Sequence, residues 1–177
     1  MEADGYRTIS TLSAMTSQAK KVWVVGLAIT FVWAALILVD PLARSLGFES
    51  LSTALYSFHS LICHQMADRS LDVLGEPFGV CSRCTGVYFG IFFGFVVFPL
   101  WRRLDDIEPI SRVWLFLSLV PIGIDWSLTF FGVWENTHLS RFLTGMVLGA
   151  TCATYIVPAS VEIVRNLTWK RLISKGT

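Results

Sequence analysis

"VWVVGLAITFVWAALILV", Val22 to Val39, carries no charge and stands between Lys20-Lys21 and Asp40-Pro41. An uncharged apolar run of about 18 residues is the least an α-helix needs to cross a hydrocarbon core roughly 30 Å thick. The whole chain agrees with that reading. Of its 177 residues 54% are hydrophobic and only 15% charged, too apolar for an ordinary soluble domain of this length. The run follows a polar-rich stretch and lacks a convincing small-residue cleavage site, so it reads as a retained span rather than a cleaved signal.

Three more segments suit the same role. Thr85–Trp101 is uncharged and stops at Arg102-Arg103; Phe142–Val161 is uncharged and is followed by Glu162 and Arg165; Val113–Val133 is broken only by Asp125. The expected fold is therefore all-α, a polytopic membrane protein with four transmembrane helices. Basic residues orient it. With four spans, Arg44, Arg69, Arg83 and Arg141 fall on one side, and the rest of the 14 Lys and Arg fall on the other. The positive-inside rule then puts both termini in the cytoplasm of a cell (inner or plasma) membrane. The chain divides into a cytoplasmic N-terminal segment (1–20), a transmembrane domain (21–164) with an outer cysteine-containing loop (40–84), and a cytoplasmic tail (165–177). Net charge is +1, so nothing points to nucleic acid; the implied partner is the bilayer. Asn166-Leu167-Thr168 matches a glycosylation acceptor but lies on the inner side in this topology.

Gly86, Gly90 and Gly94 in the second span, and Gly145 and Gly149 in the fourth, repeat every four residues. Lipid provides no hydrophobic drive between helices, so close backbone contact must hold them together. The second and fourth spans are expected to pack on each other.

The outer loop holds more than a connection. In Leu51–Met66, Leu51, Ala54, Leu55, Phe58, Leu61 and Ile62 make one stripe at helical spacing, which predicts an amphipathic interfacial or re-entrant helix. His59 and Cys63 share the opposite side at i and i+4. His64 points roughly 100° away from Cys63 if the helix continues; the two share an ion only if it ends there.

"CHQMADRS" (Cys63–Ser70), "CSRCTGVYFG" (Cys81–Gly90), an aspartate within a span and "RFLTG" (Arg141–Gly145) together resemble the DUF2085 family of membrane proteins. Its hallmarks are a Cys-His-Gln and a Cys-x-Arg-Cys-Thr-Gly. The resemblance runs from about Tyr56 to Gly149 and implies no particular activity, so the chemistry has to come from the residues.

Cys81 and Cys84 put two thiolates on one turn, and Cys63 with His64, or with His59 instead, adds a third and fourth ligand. A Cys3His set suits tetrahedral zinc, while thiolate-rich sites also take copper(I) or iron. Arg83 between the cysteines is expected to favour the thiolates by its charge. The same atoms admit two other readings. A CxxC on an oxidising face with a third thiol in reach suits a membrane thiol-disulfide oxidoreductase coupled to quinone. A Cys63 disulfide to Cys81 or Cys84 would be a staple worth about 3 kcal/mol. Cys152, deep in the fourth span, reads as a packing residue.

Asp125 lies roughly 18 Å from the inner surface by helical rise, in the outer half of the core. A bare carboxylate there costs about 2.5–3.5 kcal/mol even on the lenient insertion scale, so it needs a partner, and Arg141 at the outer start of the fourth span is the first candidate. Asp125, Arg141, Thr144, Cys63-His64 and Cys81–Cys84 converge on the outer half of one bundle. There Asp125 as a base and Arg141 as an anion holder are the candidate catalytic residues, in a pocket for a small ion, a lipid headgroup or another small substrate.

Overall fold

The computed structural model describes the backbone of residues 2–175 and the side chains of residues 16–169. The outer parts of the expected cytoplasmic segments, 1–15 and 170–177, fall outside the described side chains. Among the described residues the order is α1 (Glu2–Ser45), α2 (Glu49–His59), a 3-10 turn (Ala67–Arg69), β1 (Asp72–Val73), β2 (Glu76–Pro77), α3 (Ser82–Trp101), α4 (Val113–Phe130) and α5 (His138–Lys175). Among the described residues the fold is all-α apart from that small hairpin.

Among the described residues four helices are long and apolar enough to cross a membrane: Thr16–Ser45 of α1, α3, α4, and His138–Trp169 of α5. α1 runs straight through Asp40-Pro41, which the sequence reading took as its end. α5 likewise continues well beyond Val161. A 30-residue helix is about 45 Å long, longer than the hydrocarbon core, so α1 and α5 project past it.

The surface is inverted relative to that of a soluble domain. Val24, Val25, Ile29, Phe31 and Val32 are exposed along α1, whereas Asp40, His59 and Asp125 are buried. Such a distribution is stable only where the surroundings are apolar.

α5 is the hub, packing against α3, α4 and α1, while α1 also lies on α3. The α3–α5 contact is the glycine seam expected from the sequence. A Cβ at Gly86 would run into the Phe142 carbonyl and one at Gly90 into that of Met146; Gly145 and Gly149 meet the carbonyls of Arg83 and Val87 in return. Any side chain here would push the backbones apart. Below the seam, Phe95 and Phe98 pack with Ala153 and Val157. Pro99 cannot donate to the Phe95 carbonyl, and Trp23 Nε1 of α1 supplies that bond instead at 2.8 Å.

Gln18 of α1 donates to Thr168 of α5 at 2.9 Å, so those ends of the first and last helices meet at one end of the bundle. The opposite end gathers the α1–α3 connection, the end of α4 and the start of α5.

Candidate functional site

The α1–α3 connection is a built structure. α2 stops at His59, not at Met66 as its apolar stripe suggested. Its Tyr56 carbonyl takes the Ser60 N–H and also the Gln65 side chain at 2.7 Å, and the chain turns back. Gln65, with a positive φ of 50°, donates a second bond to the Gly79 carbonyl at 2.8 Å. One amide thus ties the end of α2 to the segment that leads from β2 into α3. Tyr56 hydroxyl donates to the Pro77 carbonyl. The stripe residues Leu51, Phe58, Leu61 and Ile62 remain exposed while Ser52 and His59 are buried, consistent with an apolar face turned to the membrane interface.

β1 and β2 pair through a two-residue turn in which Leu74 and Gly75 both have positive φ, 55° and 83°, the twist of a tight hairpin. The hairpin lies within the segment expected to be an outer loop; Gly75 between short alternating segments is the sequence signal that marks it.

These ties bring three sulfurs together. The ligand atoms of Cys63, Cys81 and Cys84 all lie within 4.8 Å of one another, and the Cys81 N–H donates to Cys63 Sγ at 3.2 Å. All four cysteines of the chain are free. Tetrahedral zinc at about 2.3 Å from sulfur requires sulfurs about 3.8 Å apart, so the three thiols could hold a metal ion with small adjustments. Cys81 is the N-cap of α3, where the helix dipole favours a thiolate. Its thiol is lowered to about 5, first by the hydrogen bond from the Cys84 thiol, which outweighs burial. The N–H of Cys84, the Cys63 thiol and the N–H of Arg83 add to this.

The histidines lie elsewhere. His64 is exposed and outside the thiol group, because the chain has left the helix before Cys63 and the two side chains diverge. His59 is fully buried with Nδ1 2.5 Å from Asp40 Oδ2. Neither of its ring nitrogens joins the three-sulfur group. Its Nε2, the Asp40 Oδ1 and Trp33 Nε1 are buried without hydrogen-bond partners among the described residues. Gly79 covers this pair so closely that a Cβ there would strike both Asp40 and His59. Nothing in the order of residues announces the Asp40–His59 pair, because a charged residue followed by proline after an apolar run has the pattern of a span's end.

Asp125 has a different partner from the one expected. Its Oδ2 accepts from Arg83 Nη2 at 2.7 Å and Asn136 Nδ2 at 3.2 Å, and its Oδ1 from Ser140 at 2.8 Å. Arg83, not Arg141, is the counter-charge. Its guanidinium therefore turns to α4 instead of serving mainly the thiols. Arg141 donates to Asn136 Oδ1 through Nε at 2.8 Å and Nη2 at 2.5 Å. Arg83 projects from the first turn of α3 at α4, whereas Arg141 is drawn aside by Asn136 of the 131–137 turn, a residue whose type and spacing do not mark it as a partner. Thr144 bonds back to the Ser140 and Arg141 carbonyls, and His138 Nδ1 lies 3.0 Å from Ser82 Oγ.

The two clusters share one cavity of about 490 Å³, lined by Arg69, Cys81, Arg83, Cys84, Asn136 and Arg141 on its polar side and by Val87, Ile122, Trp126, Phe130 and Leu148 among its apolar residues.

A family model described as a predicted membrane protein, DUF2085, matches residues 63–155. That range opens on Cys63 and contains both cysteine motifs, Asp125 and Arg141. The chain belongs to the DUF2085 family. An uncharacterized protein of Methanocaldococcus jannaschii is 33% identical over 150 residues, covering 82% of this chain and 96% of its own length. An uncharacterized protein of Methanothermobacter thermautotrophicus is 34% identical over 90 residues, 50% of this chain and 78% of its own. No solved structure matches. Within this family's matched range the motif residues now have physical roles: Gln65 braces the loop, Arg83 meets Asp125, and Gly86 admits α5.

Proposed function

We propose that Cys63, Cys81 and Cys84 hold a zinc ion on the extracytoplasmic side of a cell membrane, beside a polar pocket that binds a small substrate. The observation that carries this is the meeting of three free thiols, two of which line the cavity that also holds Arg83 and Arg141. Three thiolates leave one position of a tetrahedral ion open, the arrangement of sites that bind water or substrate. An ion with an open position polarises an oxyanion or carbonyl. His64 or His59 would close the shell only after a rearrangement of the loop. Copper(I) and iron are accepted by the same soft donors.

Arg141 and Asp125 are the candidate groups acting on the substrate. Arg141 is the anion holder. Three side-chain donors meet the Asp125 carboxylate, which holds Arg83 and Ser140 beside the pocket. Both termini are cytoplasmic, since the basic residues gather at the end of the bundle opposite the thiols.

Elemental analysis and thiol counting on one detergent-purified sample test the metal. The expected result is about one ion per chain, lost in Cys81→Ser or Cys84→Ser, with thiols that alkylate only after chelation. A metal-free protein whose disulfide exchanges electrons with a quinone would replace this reading with a thiol oxidoreductase. A metal-free protein with an inert disulfide would replace it with a structural staple.

A further inference from the structure

We infer that the cavity beside the thiols binds the phosphate-type oxyanion head of a membrane amphiphile. This names the ligand class of the pocket just described and does not require the metal.

The charged side chains around the cavity are unbalanced. Three guanidiniums, Arg69, Arg83 and Arg141, line the cavity, and Asp125 answers only one of them. Arg83 spends Nη2 on Asp125 and keeps a buried Nε without a hydrogen-bond partner among the described residues. Arg141 is half-buried and, among the described residues, has no carboxylate within ion-pairing distance; its bonds go to the neutral amide of Asn136. Arg69 pairs with Asp68 at 3.5 Å in an exposed turn, a weak claim on its charge. A guanidinium offers five N–H donors, so most of the donors here are unspent. Cationic groups taken out of water are costly until a counter-charge joins them, and fork-shaped guanidinium donors match the geometry of phosphate.

The cavity's other wall decides the form of the ligand. Val87, Ile122 and Leu148 line it, and Trp126 and Phe130 carry it to the outside of α4, where they are 56% and 68% exposed. In a bundle whose apolar surface faces lipid, a ligand entering past these rings comes from the hydrocarbon side. A phosphate carried on an acyl chain satisfies both walls; a free phosphate satisfies only the arginines.

Native mass spectrometry of the full chain in detergent, titrated with dioctanoyl phosphatidic acid, dioctanoyl phosphatidylcholine and inorganic phosphate, tests this. Phosphatidic acid is expected to bind about tenfold or more tightly than phosphatidylcholine, and Arg141→Gln to weaken it about tenfold, the loss of a charge-assisted contact. Arg103→Gln, at the other end of the bundle and 84% exposed, should leave it unchanged. Should Arg141→Gln fail to fold, Arg69→Gln in the exposed turn reads the same contact. Displacement of the lipid by inorganic phosphate supports the oxyanion chemistry and assigns the source to free phosphate; resistance to displacement supports the membrane-borne source. Equal binding of the two lipids, or full binding to the arginine variant, would overturn the inference. Metal content measured on the same sample separates its failure from failure of the zinc reading.

Discussion

Gln65 shows how much of this site depends on residues with no chemistry of their own. Its side chain bridges the carbonyls of Tyr56 and Gly79, holding the segment after Cys63 against the one before Cys81. Gln65→Ala removes two bonds to backbone carbonyls and should cost about 1–3 kcal/mol of stability, read as a lower unfolding temperature in detergent, together with reduced metal occupancy. Unchanged occupancy would show that the thiols meet without this brace. The Asp40–His59 pair is a sterner case, since both side chains are fully buried. His59→Ala leaves the carboxylate without its partner and should destabilise by about 3–5 kcal/mol, whereas His64→Ala, at an exposed position, should fall within about 0.5 kcal/mol; thermal unfolding of the two variants side by side decides it. Residue types made Cys63, Cys81, Cys84 and Asp125 legible as site candidates, because thiols and an intramembrane carboxylate are conspicuous in an apolar chain. Their neighbours were not legible. Asp40 and His59, or Arg83 and Asp125, are far apart in sequence, and only the path of the chain brings them into contact.

At the scale of elements, the α3–α5 seam joins packing to function. Gly145 lies against the carbonyl of Arg83, so the closeness of the two helices also fixes where the Arg83 side chain starts toward Asp125. Gly149→Leu should overpack the seam, costing about 1–3 kcal/mol or preventing assembly. Gly123→Ala in α4, where a Cβ meets nothing within 4 Å, should be neutral or slightly stabilising. Size-exclusion profiles and thermal unfolding in detergent check both, and equal tolerance would mean the seam is not what holds the bundle. The spacing of glycines announced this contact because a four-residue repeat lies on one helix face. The apolar stripe announced α2 but overstated its length. Periodicity cannot see the competing bond from Gln65 that helps turn the chain back after His59, nor the turn conformations of Leu74 and Gly75.

For the whole molecule the testable quantity is sidedness. A membrane-impermeant thiol reagent applied from outside should reach Cys81 after chelation, since it is half-buried at the cavity, while Cys152, half-buried in the span of α5, stays unlabelled. Labelling of Cys81 only from the cytoplasm would reverse the orientation. What the amino-acid order determined alone was everything carried by local composition and period: four apolar runs long enough to span, a glycine seam, and basic residues gathered at the ends of the runs. Those follow from the solvent, because a bilayer imposes length and polarity on each segment separately. Tertiary structure alone decided who partners whom: Arg83 and not Arg141 on Asp125, His59 on Asp40 rather than with the thiols, His64 outside the cluster, and three arginines around one cavity. Such pairings are set by a few ångströms and a few degrees where the chain turns, and those turns answer to the packing of the whole bundle.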